Sequence, residues 1–312
     1  MSLSFLPAQK GGCASSVGVC LRGVMCMTAS ELSNGVIHRE NVTYCVHLGL
    51  ELQGDLYLPK GNGPFPILIG VPGGGWRICV RASLREWGFY LASRGYGMFV
   101  IDYRLATTTQ KAFPEAVQDV IAAVRFVRSS KAELSIDPCR IGLLGASAGA
   151  HLAALAALGG AAAFGGPPGD AFAATPADVK ALVAIYGVYD LFSHWRDDLA
   201  RNPDPEWNLA RNLIGKDPYE DPRAYFEASP LGHISYEKNQ MPVFVGWGGS
   251  DEVVDPAQSD AFVRALQQAR FTVRTHRIPA ASHFWFSDPL DDPSSDSANL
   301  APRLMRFVKQ AL

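Results

Sequence analysis

Apolar and polar positions along the chain follow two periods. Val42-Thr-Tyr-Cys-Val-His-Leu48 and Leu50-Glu-Leu-Gln-Gly-Asp-Leu-Tyr-Leu58 alternate, as a strand with one buried face does. Together they predict an antiparallel pair at a sheet edge, closed by turn residues from Pro59 to Pro64. Pro66-Ile-Leu-Ile-Gly-Val71 is apolar throughout, the mark of a strand covered on both faces. Tyr96 to Asp102, Ile141 to Leu144, Val179 to Tyr186 and Met241 to Trp247 read the same way, and Phe271 to Ile278 reads as the last strand. Helical segments fall between them at Arg81 to Arg94, Phe113 to Ser130 and Ala257 to Arg270, with a closing helix from about Ala298 to Leu312. In the second of these, Val117, Val120, Ile121, Val124 and Val127 fall on one face at a period of 3.6. Strands alternating with helices predict an α/β fold: a mostly parallel central sheet flanked by helices.

The rhythm breaks at about residues 187–238. This stretch holds Trp195, Trp207, mixed charges and prolines, and it is too long for an ordinary connection between a strand and a helix. It reads as a small, mainly helical cap insertion over the strand ends, where ligand pockets form. Its aromatic residues either line that pocket or build a small core of their own. Two loops inside the sheet are also predicted, one from Gly159 to Pro176 and a turn at Asp137-Pro138. The expected organisation is an N-terminal extension over residues 1–40, a tail or a part of the cap, followed by one domain over 41–312 that carries the insertion.

Composition narrows the class. Of 312 residues, 48% are hydrophobic and 19% charged, enough to bury a substantial core. The 28 basic and 30 acidic residues leave a formal net charge of −2, which gives no reason to expect nucleic acid or an anionic membrane as partner. The six cysteines, at positions 13, 20, 26, 45, 79 and 139, show no C-x-x-C pair and no zinc spacing. They read as thiols of a reducing compartment, hence a cytoplasmic location, although three of them fall within the first 26 residues, where a disulfide stays open. Residues 1–26 make a poor secretory leader, because Arg22 interrupts their weakly apolar run. They read as a tail, or as an extension upstream of a start at Met27. Ile141 to Gly169 lacks Asp, Glu, Lys and Arg. Its glycines, Ser147, His151 and the Pro167-Pro168 pair point to a strand, a bend and a helix in a soluble sheet rather than a membrane span.

The chemistry starts at Gly145-Ala146-Ser147-Ala148-Gly149, a G-x-S-x-G between an apolar strand and the small-residue run Ala150-His-Leu-Ala-Ala-Leu-Ala-Ala-Leu158. A serine on such a bend is held in a strained conformation with its hydroxyl projecting into a cleft, the nucleophile elbow. Glycines at both flanks let strand and helix cross closely. The following helix aims its free N–H groups at any anion that forms there. A serine hydroxyl needs a base, and the base needs an orienting acid. Past the C-terminal ends of later strands come Asp251 and then His283, the chain order Ser, acid, His. Glu252 and Asp255 share the acid's loop and are its alternatives. Of the seven histidines, only His283 follows the last strand in a loop. His38 and His47 precede the core, His151 is one turn into the helix after Ser147, His194 and His233 belong to the cap region, and His276 lies within a strand. Pro72-Gly-Gly-Gly-Trp76 follows the strand that ends at Val71. Three consecutive glycines there mark backbone that approaches a ligand closely or turns with positive φ.

These pieces resemble the α/β-hydrolase esterases of the hormone-sensitive-lipase-like and feruloyl-esterase-like groups. The resemblance rests on Pro72-Gly-Gly-Gly-Trp76, Asp102-Tyr-Arg-Leu-Ala106, Phe113-Pro-Glu-Ala-Val-Gln-Asp-Val120, Ile136-Asp-Pro-Cys-Arg-Ile-Gly142, Gly145 to Ala153, Ser250-Asp-Glu-Val-Val254 and Ser282-His-Phe284. It spans roughly Asn41 to Leu312. It implies an α/β-hydrolase fold, a triad of Ser147, Asp251 and His283, and an oxyanion hole formed by the backbone N–H groups of Gly74, Gly75 and Ala148. It also implies hydrolysis of small carboxylic esters with short acyl or aryl groups, through an acyl-enzyme and with no metal or cofactor. Trp76 and Phe284 are the expected pocket-lining residues. The expected partner is a small-molecule ester, with no nucleic acid and no membrane span; a homodimer is compatible with the sequence. Arylformamide hydrolysis by the same triad, and small-molecule binding on an inactive hydrolase fold, are the alternatives. Three departures stand out. Pro72 replaces the usual histidine before the glycines and removes a side chain that pins the oxyanion loop. The acid loop carries Asp255-Pro256 where a proline directly after the valine is usual. Phe284 replaces the usual glycine after the histidine, which is expected to crowd that loop and narrow the pocket.

Overall fold

The computed structural model describes residues 35–312. The expectations for residues 1–26, including Cys13, Cys20 and Cys26, lie outside the described residues. The strands β1 (Val36–His47), β2 (Leu50–Pro59), β3 (Phe65–Val71), β4 (Gly97–Ile101), β5 (Ile136–Ala146), β6 (Ala181–Ile185), β7 (Val243–Gly248) and β8 (Val273–Ile278) form one sheet in the order β1-β2-β4-β3-β5-β6-β7-β8. The β1–β2 and β2–β4 pairings are antiparallel and the remainder parallel. The alternating segment therefore forms the sheet edge, as expected, and the continuous apolar runs occupy the centre. Every residue of β4, β6 and β7 is buried. The sheet begins at Val36, five residues before the boundary placed at 41.

Helices α1 (Arg85–Ala92), α2 (Glu115–Ser129), α3 (Ala148–Leu158), α4 (Gly160–Phe164), α5 (Leu191–Arg201), α6 (Leu209–Ile214), α7 (Pro222–Glu227), α8 (Pro256–Gln268) and α9 (Asp296–Ala311) complete the chain. Two local readings are corrected. Asp137-Pro138 is no turn but part of β5, at a register irregularity opposite Phe65 and Ile67; there the proline's missing N–H takes no ladder bond away. The loop predicted from Gly159 holds a short helix, α4, because its alanines favour one. The stretch 187–238 carries α5, α6, α7 and short 3₁₀ turns. Side chains of Asp190, Asn208 and Asp221 accept a backbone N–H at the starts of α5, α6 and α7, so the polar residues that broke the strand–helix rhythm serve as helix caps. Among the described residues, no helix is long and apolar enough to cross a membrane.

The strand order fixes where a ligand can go. β3 lies between β4 and β5, and the chain leaves β3 toward one side and later arrives on the other. A crevice opens outside the carboxyl ends of strands at such a switch point. The glycine-rich loop after β3 and the bend after β5 meet there. Below them, the loop after β4 is anchored by charge. Asp119 on α2, with no exposure, accepts hydrogen bonds from the Arg104 backbone N–H at 2.8 Å and from Arg104 Nη2 at 2.7 Å. Tyr103 Oη–H donates to Pro72 O at 3.0 Å, and Ala106 N–H donates to Trp76 O at 2.8 Å. Removing one partner leaves the other charge buried without compensation. Asp119→Ala is therefore expected to lower unfolding stability by about 3–5 kcal/mol in chemical denaturation; a loss below about 1 kcal/mol would remove this pair from the loop's support.

Candidate active site

Ser147 stands between β5 and α3 with φ 54° and ψ −124°. For a residue with a Cβ this is strained backbone, costing on the order of 1–3 kcal/mol, and the surroundings enforce it. Ser147 N–H donates to Ile185 O at 2.9 Å. A Cβ on Gly145 would strike Gly149 O, and one on Gly149 would strike Val71 O. The two glycines of the G-x-S-x-G are thus positions of close backbone approach, one between strand and helix and one between helix and the neighbouring strand β3.

Three predicted side chains meet. His283 Nδ1–H donates to Asp251 Oδ2 at 2.7 Å, and His283 Nε2 accepts from Ser147 Oγ–H at 2.9 Å. An ionised carboxylate only accepts, so the proton on Nδ1 follows from the Asp251 contact, and Nε2 is left to receive the serine proton. The other carboxylate oxygen, Oδ1, accepts from the N–H groups of Val253 (2.9 Å) and Val254 (2.8 Å). Those bonds turn Asp251 toward the histidine. His283 is 1% exposed, and the Tyr186 ring lies 4.5 Å from its own, centroid to centroid. The two alternatives for the acid point elsewhere. Asp255 accepts from Ala257 N–H at 2.8 Å and caps α8, and Glu252 is exposed.

The loop after β3 faces this row. Gly74, Gly75 and Trp76 have φ values of 131°, 58° and 59°, and Gly74 O accepts from the N–H groups of Arg77 and Ile78, both at 3.1 Å. Among the described residues, no acceptor takes the N–H of Gly74, Gly75 or Ala148. Ala148 also opens α3, whose N-terminal end carries positive partial charge. The glycine loop that follows Pro72 is braced through Trp76 and His151. Trp76 Nε1–H donates to His151 Nδ1 at 3.1 Å, and His151 Nε2–H donates to Ala228 O at 2.7 Å. Both ring nitrogens of a fully buried histidine are thereby satisfied in its neutral form, and burial holds its pKa down at about 3. This strut joins the glycine loop, the helix after Ser147 and the end of the cap. Trp76 therefore does two jobs, lining the pocket and bracing the loop.

A pocket of about 660 Å³ opens above Ser147. Ile78, Val80, Leu84, Val188, Leu209 and Val254 give it largely apolar walls. Phe284 is 66% exposed on its rim, and its ring meets that of His283 edge-on at 4.9 Å. The cap aromatics are not the lining either. Trp195 packs with Phe192 and Tyr219, and Trp207 lies under the Arg77 guanidinium at 5.3 Å. The cap contributes Val188, His194 and Leu209 instead. His194 is buried, its pKa is pushed down chiefly by that burial, and it meets Trp76 edge-on. Nothing in the sequence singled out Leu209 or His194, because which face of a capped helix turns inward depends on tertiary docking. Among the described residues, no cluster of three or more His, Cys, Asp or Glu could hold a metal ion.

The sheet, the strained serine and the row behind it define the α/β-hydrolase class. More narrowly, the chain belongs to the BD-FAE family, whose model matches residues 54–266. Among its relatives, "Probable carboxylic ester hydrolase LipM" of Mycobacterium tuberculosis is 32% identical over 76% of this chain and 51% of its own length. "Esterase LipQ" of the same organism is 34% identical over 70% of this chain and 50% of its own length. The chain thus spans about half the length of the curated relatives it matches. A solved structure titled "Truncated form of carbohydrate esterase from gut microbiota" superposes with a TM-score of 0.74 at 23% identity, covering 91% of this chain and 99% of that one; at that identity it speaks for the fold.

The buried neutral histidine makes a pH prediction. An unfolded histidine protonates near 6.5, whereas His151 in the fold resists protonation down to about 3. Below pH 6.5 the unfolded state binds the extra proton, so this group's contribution to stability is complete above 6.5 and declines as pH falls toward 3. In chemical denaturation between pH 6 and pH 4, His151→Gln is expected to show a stability–pH slope shallower than wild type by up to about one proton. Equal slopes would mean that His151 is charged or exposed in the folded protein.

Proposed function

We propose that the protein is a serine carboxylic ester hydrolase that uses Ser147, His283 and Asp251. The observation that carries this reading is the continuous row Ser147 Oγ, His283 Nε2, His283 Nδ1, Asp251 Oδ2, with separations of 2.9 and 2.7 Å, set beside backbone N–H groups that no acceptor among the described residues takes. The esterase names of the relatives support it, as does membership of the BD-FAE family. In this mechanism Ser147 Oγ attacks the ester carbonyl carbon while His283 Nε2 takes its proton. The carbonyl oxygen becomes an anion held by the N–H groups of Gly74, Gly75 and Ala148. Asp251 fixes the imidazole tautomer and stabilises the imidazolium. The C–O bond to the alcohol breaks as His283 returns the proton to the leaving oxygen. Water, deprotonated by His283, then attacks the acyl-serine; the acid leaves and Ser147 recovers its proton.

The substrate we propose is an ester of a short acyl or aryl acid, whose apolar part the pocket's apolar walls would cover. Hydrolysis of p-nitrophenyl acetate, butyrate, octanoate and laurate tests both parts of the reading. Acetate and butyrate are expected to turn over fastest, and Ser147→Ala is expected to lower kcat by about 10⁴–10⁶. A variant that keeps most of the activity would remove Ser147 from the chemistry. Faster turnover of aryl formamides than of matched aryl esters would move the substrate class to amides.

The strut beneath the oxyanion loop makes a second test. Trp76→Phe keeps an aromatic ring in place but deletes the N–H that His151 Nδ1 accepts. Small displacements of oxyanion donors act on the transition state more than on ground-state binding. A fall of about 10- to 100-fold in kcat with little change in KM is expected. An equal rise in KM with kcat intact would mean that Trp76 serves only as pocket wall.

A further inference from the structure

A second cavity, of about 930 Å³, shares helix α6 with the pocket above Ser147. Helix α6 is the shared wall: Leu209 borders the first pocket, whereas Arg211 and Asn212 border the second. The second cavity is basic in a chain whose formal net charge is −2. Lys111, Arg211, Lys216 and Arg223 line it against Asp221 and Glu227. Arg223 pairs with Glu227 at 2.6 Å, and Lys216 meets Asp221 at 3.9 Å. That leaves Lys111 and Arg211, for which no ion pair exists among the described residues.

These two cations belong to one edge of the cavity. Gly215 N–H donates to Arg211 O at 2.7 Å as α6 ends, so Arg211 and Gly215 lie one turn apart. A Cβ on Gly215 would sit 3.3 Å from Lys111 Cβ. The backbone there is held, because Leu213 O accepts from the N–H groups of Ala112 and Phe113, both at 3.1 Å. Opposite in character, the cavity has an apolar floor. Phe113 and Phe164 meet edge-on at 5.9 Å, and Ile214 is buried beside them. A half-buried arginine without an anion, sharing a cavity with a lysine and with aromatic side chains, suits a planar or tetrahedral oxyanion on an apolar body.

We propose that this cavity is a second ligand site that takes a small amphipathic anion: a carboxylate or phosphate held by Lys111 and Arg211, with its apolar or aromatic body against Phe113, Phe164 and Ile214. The site does not depend on the chemistry at Ser147.

Calorimetric titration with phenyl phosphate, benzoate and inorganic phosphate tests it, using wild type and the Lys111→Gln/Arg211→Gln double variant at low and high salt. Phenyl phosphate or benzoate is expected to bind one-to-one at least about tenfold more tightly than inorganic phosphate, since the floor adds burial of an aromatic ring. The tighter of the two identifies the head group. Binding is expected to weaken with salt and to fall at least about tenfold in the double variant, whose side-chain changes lie at exposed or half-buried positions. A Leu209→Trp variant, which fills the pocket above Ser147, is expected to bind as wild type does. The proposal is overturned if neither aromatic anion binds more tightly than inorganic phosphate. It is equally overturned if the double variant retains wild-type affinity with an unchanged melting temperature, or if Leu209→Trp abolishes binding.

Discussion

Everything at the centre of this molecule depends on how closely α3 approaches β3 and β5. The absence of a side chain at Gly149 lets the helix rest against the Val71 and Pro72 carbonyls, and the absence of one at Gly145 lets the strand pass under the helix. Only in that geometry is Ser147 forced to φ 54°. The strain is paid back by the rigid elements on either side, since β5 is paired along both edges and α3 is entirely buried. A looser crossing would let the serine relax into ordinary backbone, and its hydroxyl would lose its aim at His283.

Close approach positions the serine, but it leaves the neighbouring loop unsupported. Three consecutive glycines have little intrinsic preference, and a loop of that kind needs outside constraint if it is to hold the oxyanion proposed above. Here the constraint comes from three directions. Tyr103 holds the Pro72 carbonyl from below, Ala106 holds the Trp76 carbonyl, and His151 holds the Trp76 indole from the elbow helix. The Arg104–Asp119 pair anchors the first two of these to α2. A buried charge pair is weak evidence of net stability, but its geometry is specific, and specificity of position is what the loop lacks by itself.

Much of this was legible in the sequence. The parallel core was written in continuous apolar runs, because a strand covered on both faces has no polar side to show. The elbow and the order Ser147, Asp251, His283 were legible because each needs a particular residue type at a strand end, and the structure brings those three together. What was not legible follows from tertiary docking. Pro72 looked like the loss of a pin, and nothing local revealed that Trp76 and His151, 75 residues apart, meet through a hydrogen bond. Asp137-Pro138 looked like a turn because propensity cannot see a strand irregularity that tolerates proline. The cap's tryptophans drew attention by size, whereas the lining came from Leu209 and His194.

The cap is where fold and specificity meet. Short helices have little stability of their own. Those of the cap are held by side-chain caps, by a bond within the cap in which Ser229 Oγ accepts from Leu191 N–H, and by bonds to the sheet domain: Gln258 Oε1 accepts from the N–H groups of Tyr189 and Asp190, and Ala228 O accepts from His151. The last of these places the cap and the glycine loop on opposite nitrogens of one imidazole. A neutral histidine has one donor and one acceptor, so the two contacts are linked: the ring can satisfy Trp76 through Nδ1 only while Nε2–H faces Ala228. Displacing the cap would leave a buried N–H without a partner, at a cost of about 1–3 kcal/mol, and would free the ring to turn away from Trp76. Cap position and loop geometry are therefore coupled by a single side chain, which ties the walls of the pocket to the groups that would hold its oxyanion.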